Sequence, residues 1–259
     1  MIDSLKDIYV SLKKWHLWTA LGWLELRQRY KRSIVGPFWI TISMGVLILA
    51  LGLIYGELFK MDVKTYLPML AIGLVFWTFM SNVINEGCSS FIATSPYITQ
   101  LPTPKFIFIL QMLWRNLMML CHNLVIVLAV LIYFNEVTMS AIFQFLLGFI
   151  LVTFNLVWIA LLGAIISVRF RDVPQIVTAF MQVIFYITPI LFSGQMLAKY
   201  SSLLILNPFS WFIDIIRSPL LSEPVASYSY KYSVILAIIG SIVTLIVFSK
   251  SKDKISYWV

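Results

Sequence analysis

The stretch with the densest potential chemistry is RQRYKRSIVGPFW, residues 27–39. It places four cations within six residues, directly before a long uncharged segment: Arg27, Arg29, Lys31 and Arg32. Cations at this spacing can anchor the start of an apolar segment at an anionic lipid surface. They can also dock a phosphorylated lipid, because the planar guanidinium of Arg matches phosphate oxygens in pairs. The residues by themselves leave both interpretations open.

Sequence motifs that would indicate an enzyme are absent. The sequence has no P-loop, no HExxH and no GxSxG. Its two His and two Cys residues are isolated, so neither a metal site nor a disulfide framework is predicted. A membrane enzyme acting on lipid-linked sugars stays an alternative, and its candidate acids or bases would be Asp172, Asp214 and Glu86.

The composition is that of an integral membrane protein. Of the 259 residues, 61% are hydrophobic and 12% are charged, whereas soluble domains carry about 25% charged residues. The formal net charge is +8. In a membrane protein an excess of Lys and Arg follows from the positive-inside rule, so nucleic acid is not predicted as a partner.

Uncharged windows predict six transmembrane helices in an all-α fold, since about 20 apolar residues cross a bilayer core. The third helix begins as early as Phe106 in this interpretation. The six windows are residues 33–56, 65–85, 116–135, 137–168, 173–198 and 232–249. The chain is thus expected to form one transmembrane domain over residues 1–259.

The segments outside these windows indicate the orientation of the chain. Residues 1–32 carry Trp15, Trp18 and Trp23, which suit the headgroup level, so an amphipathic helix at the cytoplasmic interface is expected. Most of the 19 Lys and Arg residues fall on the side of the N-terminus. We therefore expect both termini to be cytoplasmic, with residues 33–249 as the six-span region and 250–259 as a cytoplasmic tail.

Two connecting segments have more than one interpretation. Residues 199–230 are apolar in patches but contain three prolines and charged residues that include Asp214 and Arg217, so they form either re-entrant helices, expected at 200–222, or an ordinary surface loop. The long loop from Gly87 to Phe106 contains a stretch, Phe91 to Ile98, that suits one short helix. Such a helix would dock on a soluble partner, while a plain connecting loop is equally compatible.

Aromatic residues make up 15% of the chain, and many of them lie inside the predicted spans, among them Trp77, Phe185 and Tyr186. Core packing and interface belts account for most of them, although aromatic faces also suit sugar rings. Carboxylates are nearly absent from the spans, which disfavours an ion-coupled carrier. If the protein transports a substrate, the energy is expected to come from another subunit.

Three segments together resemble the signatures of polysaccharide-exporting ABC transporter permeases, above all the O-antigen type, which are the transmembrane subunits of type-2 ABC exporters. They occur in the same order and cover nearly the whole chain. The segments are RQRYKRSIVGPFWITISMG (27–45), RFRDVPQIVTAFMQVIFYITPILF (169–192) and NPFSWFIDIIRSPLL (207–221).

The resemblance implies a homodimer in the bacterial inner membrane, bound to two copies of a cytoplasmic ATPase that holds ATP and Mg²⁺, with no cofactor and no catalytic residue in this chain. It implies an undecaprenyl-diphosphate-linked glycan as substrate, and membrane lipid as surroundings. A permease for a small lipid or drug is a further alternative. The implied sites are a substrate entrance at Arg27, Arg29, Lys31 and Arg32; an ATPase contact at Phe91, Ser95, Pro96, Tyr97 and Ile98; channel-lining Trp77, Phe185 and Tyr186; and a periplasmic gate at Asn207, Pro208, Trp211 and Arg217.

Overall fold

The structure is a computed structural model that describes residues 2–31, 35–36, 38–134, 138–192 and 201–259. Within these ranges it contains eleven helices and no strand, which confirms the all-α prediction. The helices are α1 (Ile2–Lys13), α2 (Trp15–Arg29), α3 (Phe38–Phe59), α4 (Val63–Ala93), α5 (Ser95–Gln100), α6 (Phe106–Phe134), α7 (Met139–Arg169), α8 (Val173–Ile187), α9 (Ser201–Leu206), α10 (Pro208–Leu220) and α11 (Ser227–Trp258).

Five of these helices are long and apolar enough to cross a membrane: α3, α4, α6, α7 and α11. The chain is therefore a multi-pass membrane protein. The window predicted at 173–198 contains α8, which is apolar but has 15 residues. It spans about 22 Å, less than a bilayer core. Residues 193–198 lie outside the described residues, so the sixth span stays a prediction.

Three spanning helices continue past the charges that bounded their predicted windows. Helix α4 includes Glu86 and runs on to Ala93, and α6 begins at Phe106 and includes Arg115. Helix α11 continues to Trp258, so the tail predicted at 250–259 is helical, and its cytoplasmic location stays a prediction. Charges mark the limits of the apolar stretch, but they do not end a helix whose side chains reach the interface or an ionic partner.

Helix α4 lies at the centre of the bundle and packs against α3, α6, α7, α8 and α10. It runs parallel to α7 at very short range, because glycines lie at the crossing. A Cβ atom placed on Gly87 would lie 2.6 Å from the Cβ of Ala160, and one on Gly163 would lie 2.7 Å from the sulfur of Cys88. This close packing fixes which face of α4 stays open.

The two ends of the chain meet at one end of the bundle, which we call the terminal end. The carboxylate of Asp7 accepts the backbone N–H groups of Lys105 and Phe106, both at 3.1 Å, and so caps the N-terminus of α6. The ammonium of Lys252, near the end of α11, lies 3.5 Å from the same carboxylate. Burial lowers the pKa of Lys105, and the charge of Asp7 opposes that shift.

The expected single interface helix over 1–32 is in fact two helices. Helix α1 ends at Lys13 and α2 begins at Trp15. Helix α2 packs along the first half of α6, where Trp18 meets Trp114 with ring centroids 5.8 Å apart. Residue 32, at the end of the expected helix, and Pro37 lie outside the described residues.

The segment predicted as re-entrant, 200–222, forms α9 and α10 from residue 201 onward, and residue 200 lies outside the described residues. Helix α10 packs against α7 and α11, and ten of its 13 residues are buried. An exposed surface loop is therefore the wrong interpretation. That these helices dip into the membrane stays a prediction.

Candidate functional site

Helix α4 carries a continuous polar face. From Tyr66 to Phe91 every residue is buried except six, which are half-buried. These six recur at intervals of three, one and three residues, so they share one side of the helix. All six are polar, and we call them the α4 polar stripe: Thr78, Ser81, Asn82, Asn85, Glu86 and Ser89. Polar side chains open to hydrocarbon are costly, so this stripe faces water, a polar ligand or protein.

On one side of the stripe, α4 and α8 enclose a groove of about 440 Å³. The amide of Asn85 donates to the Ser81 hydroxyl at 3.2 Å, and the Thr178 hydroxyl donates to the Asn85 carbonyl oxygen at 3.3 Å. Gln182 continues the polar lining along α8. The groove therefore offers a row of neutral hydrogen-bonding groups.

Toward the terminal end, α2, α4 and α6 enclose a cavity of about 370 Å³ that contains an ion-pair cluster of Glu25, Arg29, Glu86 and Arg115. The guanidinium of Arg115 donates to both carboxylates, and its Nη2 lies 2.7 Å from Glu86. Nη2 of Arg29 lies 3.6 Å from the other Glu86 oxygen. With two cations and two anions, the cluster is formally neutral.

The packing of α2 on α6 positions this cluster. A Cβ atom on Gly22 would lie 2.9 Å from the backbone oxygen of Gln111, so only glycine lets the helices approach this closely. Glu25 follows one turn later and accepts from the Gln111 amide at 2.6 Å. The same approach places its carboxylate on Arg115, one turn further along α6.

Comparison with known proteins assigns the family. The family model described as ABC-2 type transporter matches residues 16–221, which include the α4 polar stripe and the whole ion-pair cluster. The chain belongs to the ABC-2 type transporter family.

Relatives of this ABC-2 chain include proteins named as O-antigen export system permeases. One from Klebsiella pneumoniae is 26% identical over 243 residues, which cover 89% of this chain and 90% of the relative. A second from the same organism is 26% identical over 242 residues, with the same coverage. One from Myxococcus xanthus is 24% identical over 188 residues, covering 71% of this chain and 72% of the relative.

Of the four predicted entrance cations, the structure brings one into the cluster. Arg29 approaches Glu86 and also donates to the sulfur of Met119 at 3.7 Å. Arg27 and Lys31 are exposed and make no ion pair with any described residue. Arg32 lies outside the described residues. The role of these cations as an entrance stays a prediction.

The short helix expected at Phe91 to Ile98 is displaced along the chain. Phe91 is buried within α4, and the short helix is α5, from Ser95 to Gln100. Ile98 is also buried, whereas Pro96 and Tyr97 are exposed at the terminal end and Ser95 is half-buried. The segment divides because α4 continues to Ala93 before the chain turns at Thr94.

The predicted channel aromatics do come together in the α4–α8 groove. The rings of Trp77 and Phe185 lie 5.7 Å apart, and those of Phe185 and Tyr186 lie 5.2 Å apart. Trp77 is buried, while Tyr186 is 70% exposed. Their contact with a substrate stays a prediction.

The predicted gate residues lie at the end of the bundle opposite to the terminal end. Asn207 accepts the Phe209 N–H at 3.0 Å and donates to Thr188 at 2.9 Å, so it starts α10 and ties it to the end of α8. Pro208 is the first residue of α10. The buried Arg217 donates to the backbone oxygen of Pro189 at 2.7 Å, and Trp211 donates to Ile205 at 3.0 Å.

The sequence-based interpretation missed the ion-pair cluster and the polar stripe. Glu86 entered only as a candidate acid or base, and Glu25 was not singled out. The stripe does leave a signal, because polar residues recur every three or four positions from residue 78 to 89 in an otherwise apolar stretch. No comparable signal links Glu25 to Arg115, since that contact depends on the packing of α2 against α6.

Proposed function

We propose that this chain is the transmembrane subunit of an ATP-driven exporter that moves an undecaprenyl-diphosphate-linked polysaccharide, with O-antigen foremost, across the bacterial inner membrane. The observation that carries the proposal is the α4 polar stripe. A central spanning helix whose only open face is polar suits the wall of an aqueous path, and it does not suit contact with lipid. The names of the relatives point to polysaccharide as the cargo.

A second copy of the chain completes the path. In one chain the groove between α4 and α8 is open on its outer side, and Gln175 and Gln182 of α8 are exposed there. A two-fold axis beside this groove encloses it between two polar walls. Neutral amides and hydroxyls, with Trp77 and Tyr186, give a sugar chain many weak contacts. Weak contacts at many sites let a polymer leave as readily as it enters.

The diphosphate enters at the terminal end, which faces the cytoplasm. Lys and Arg residues concentrate at this end, in agreement with the positive-inside rule. Within the ion-pair cluster Arg29 and Arg115 are already balanced by Glu25 and Glu86. The first attraction therefore falls to Arg27 and Lys31, which are exposed and have no ion-pair partner within the part of the chain that the structure describes.

The partner ATPase, present in two copies, binds ATP and Mg²⁺ and pushes on α5. Tyr97 and Pro96 present an exposed face at the terminal end. Helix α5 is joined to α4 through Thr94, and Ile98 fastens it by accepting the ammonium of Lys105 at 3.1 Å. A displacement of α5 is thereby transmitted to the helix that carries the polar stripe.

The test uses the chain purified with its partner ATPase in lipid nanodiscs, with undecaprenyl diphosphate as the binding probe. Replacing Arg27 and Lys31 together by Gln is expected to weaken binding about 30-fold, since each cation near a charged surface contributes about 1 kcal/mol. Replacing Lys13 and Lys14 by Gln is the matched control, with the same change in charge at the same end of the bundle. Equal losses for both pairs would reduce the role of the cations to general surface charge.

The same preparation separates the alternatives. The purified chain without nucleotide is expected neither to form nor to break a glycosidic bond. Such activity would establish a membrane enzyme instead if it were abolished by Asp172→Asn, Asp214→Asn or Glu86→Gln. In cells, deletion is expected to trap glycan inside without changing drug sensitivity, and the reverse result would establish a small-molecule permease.

A further inference from the structure

A second polar cavity lies on the other side of the α4 polar stripe, between α3, α4 and α6. Its volume is about 270 Å³, just below the range of pockets that hold small ligands, so it suits a single ring. Five polar residues line it among apolar side chains, and we call it the asparagine pocket. The five are Ser43, Thr78, Asn82, Asn116 and Asn123.

Hydrogen-bond accounting identifies what the asparagine pocket lacks. The amide nitrogen of Asn116 donates to Glu86 at 2.7 Å and to the backbone oxygen of Met112 at 3.0 Å, which orients its Oδ1 away from these partners. That Oδ1 is buried and accepts from no described residue, and the same holds for Oδ1 of Asn123. The two side chains are 1% and 4% exposed. An unmatched buried acceptor is destabilising, so a donor is missing here.

The hydroxyls in the pocket also present acceptors. The Ser43 hydroxyl donates to the backbone oxygen of Trp39, and that of Thr78 donates to Leu74, both at 2.8 Å. Their lone pairs remain available to the cavity. The complementary ligand is therefore neutral, carries hydroxyls that donate to these acceptors, and has an apolar body that fits against Met44 and Leu120. A sugar ring, with hydroxyls at its rim and C–H groups on its faces, has this character.

The position of the asparagine pocket agrees with such a ligand. The Thr41 hydroxyl donates to the backbone oxygen of His122 at 3.0 Å, which places Asn123 level with the first turn of α3, close to the membrane interface. Glu86 contacts both Asn116 and Arg115, so the pocket adjoins the ion-pair cluster. Leu47 on its α3 wall is 44% exposed, so the pocket reaches the protein surface.

We propose that the asparagine pocket binds the first sugar of the lipid-diphosphate-linked glycan, while the diphosphate lies at the predicted entrance cations, which include Arg27 and Lys31. This inference rests on the proposed function and adds to it a subsite that recognises the sugar. In the apo protein the unmatched acceptors would be satisfied by water, which the sugar hydroxyls displace on binding.

The experiment compares two probes on the full complex in nanodiscs: undecaprenyl diphosphate, and the same lipid carrying a single hexose. The wild type is expected to bind the hexose-bearing lipid about tenfold more tightly, as a site built for hydroxyl donors discriminates against a ligand without them. Asn123→Leu is expected to reduce this preference to less than about twofold while affinity for the bare lipid stays unchanged.

A second variant and a control guard against a folding artefact. Ser43→Val removes a different acceptor from the pocket, at the more exposed wall, and is expected to weaken the preference in the same direction. Cys121→Leu changes the exposed side of α6 near Asn123 and is expected to change neither affinity. The melting temperature of Asn123→Leu should not fall, because the substitution removes an unmatched acceptor.

The outcomes separate this inference from the proposed function. If the wild type binds neither lipid, the lipid-diphosphate substrate itself is wrong. If it binds both lipids equally, the pocket holds only water and the sugar subsite is wrong, while the proposed function stands. A preference that survives in both Asn123→Leu and Ser43→Val would place sugar recognition elsewhere.

Discussion

Helices α4 and α11 are both long and apolar enough to cross the membrane, yet they bury opposite kinds of residue. In the most apolar window of α4 83% of residues are buried, against 28% in α11. Helix α4 buries large apolar side chains and leaves its polar stripe open. On α11 the buried residues are mostly small, as Ser233, Ala237 and Gly240 illustrate, and the exposed ones are branched and apolar, as Ile238 and Ile242 illustrate.

The contrast distinguishes two kinds of surroundings. Lipid tails are as apolar as Leu, so a helix at the lipid boundary directs apolar side chains outward and uses small residues to approach its neighbour. Helix α11 follows this pattern against α7. Helix α4 reverses it, so the open face of α4 borders something polar. Mean hydropathy alone does not distinguish the two helices, because both are apolar enough to be predicted as membrane spans.

The largest expected effect breaks the packing of α11. A Cβ atom on Gly240 would lie 2.4 Å from the ring of Trp158 in α7. Gly240→Leu is therefore expected to destabilise the protein by about 3 kcal/mol, at the upper end for overpacking. Thermal unfolding in detergent checks this, with the exposed neighbour substitution Ile239→Leu as control. Equal melting temperatures for both variants would refute the assigned α7–α11 contact.

Exchanging polar for apolar residues on the open face of α4 tests the aqueous path. Ser81→Leu combined with Asn85→Leu is expected to lower export by about tenfold, or roughly 1.4 kcal/mol on the transport barrier, at normal protein levels. The matched control places Leu at Ile238 and Ile242, which have the same spacing on the exposed face of α11. Comparable export by the two double variants would mean that the stripe does not border the path.

Much of the fold follows from the sequence, because apolar length is a local property. The windows at 33–56 and 137–168 predicted α3 and α7 to within a few residues at most ends, and the three family-like motifs predicted an ABC-2 membership that the family model bears out. The division at Lys14 and the displacement of α5 were not predictable in this way. They depend on how α1 caps α6 through Asp7 and on how far α4 continues past its uncharged window.

The candidate site was predictable only in part. Trp77 and Phe185 were both predicted to line the channel, a role that the family resemblance implied. The cluster around Arg115 was not, since Glu25 and Arg115 are 90 residues apart and meet only because Gly22 lets α2 lie against α6. Burial of each charge is set by that tertiary contact and has no local signature.

A double-mutant cycle tests the ion pair between Arg115 and Glu86, which lies where the α4 polar stripe meets the ion-pair cluster. Arg115→Gln and Glu86→Gln are each expected to destabilise the protein, and the double variant by less than the sum, with a coupling of about 1–2 kcal/mol. The partial exposure of Glu86 and Arg115 keeps the value below that of a fully buried pair. The melting temperatures of the four proteins measure it. Arg27→Gln, paired with Glu86→Gln in the same way, is the control and should be additive.

The smallest expected effect concerns the start of α11. Asp214 in α10 accepts the hydroxyls of Ser218 and Ser229 at 2.7 and 2.6 Å and the N–H of Ala226 at 3.1 Å, so one carboxylate fastens α10 to the buried side of α11. Asp214→Asn keeps one acceptor oxygen and loses the charge, which is expected to cost about 1 kcal/mol. The exposed Glu223→Gln, measured beside it by thermal unfolding, should change stability by less than about 0.5 kcal/mol.

Because the role assigned to Asp214 is to hold two helices together, export per folded protein should remain near that of the wild type. Complete loss of export from a normally stable Asp214→Asn protein would instead show that this carboxylate acts directly in export. The contrast between a lipid-facing α11 and a path-facing α4 would then not account for which residues carry the function.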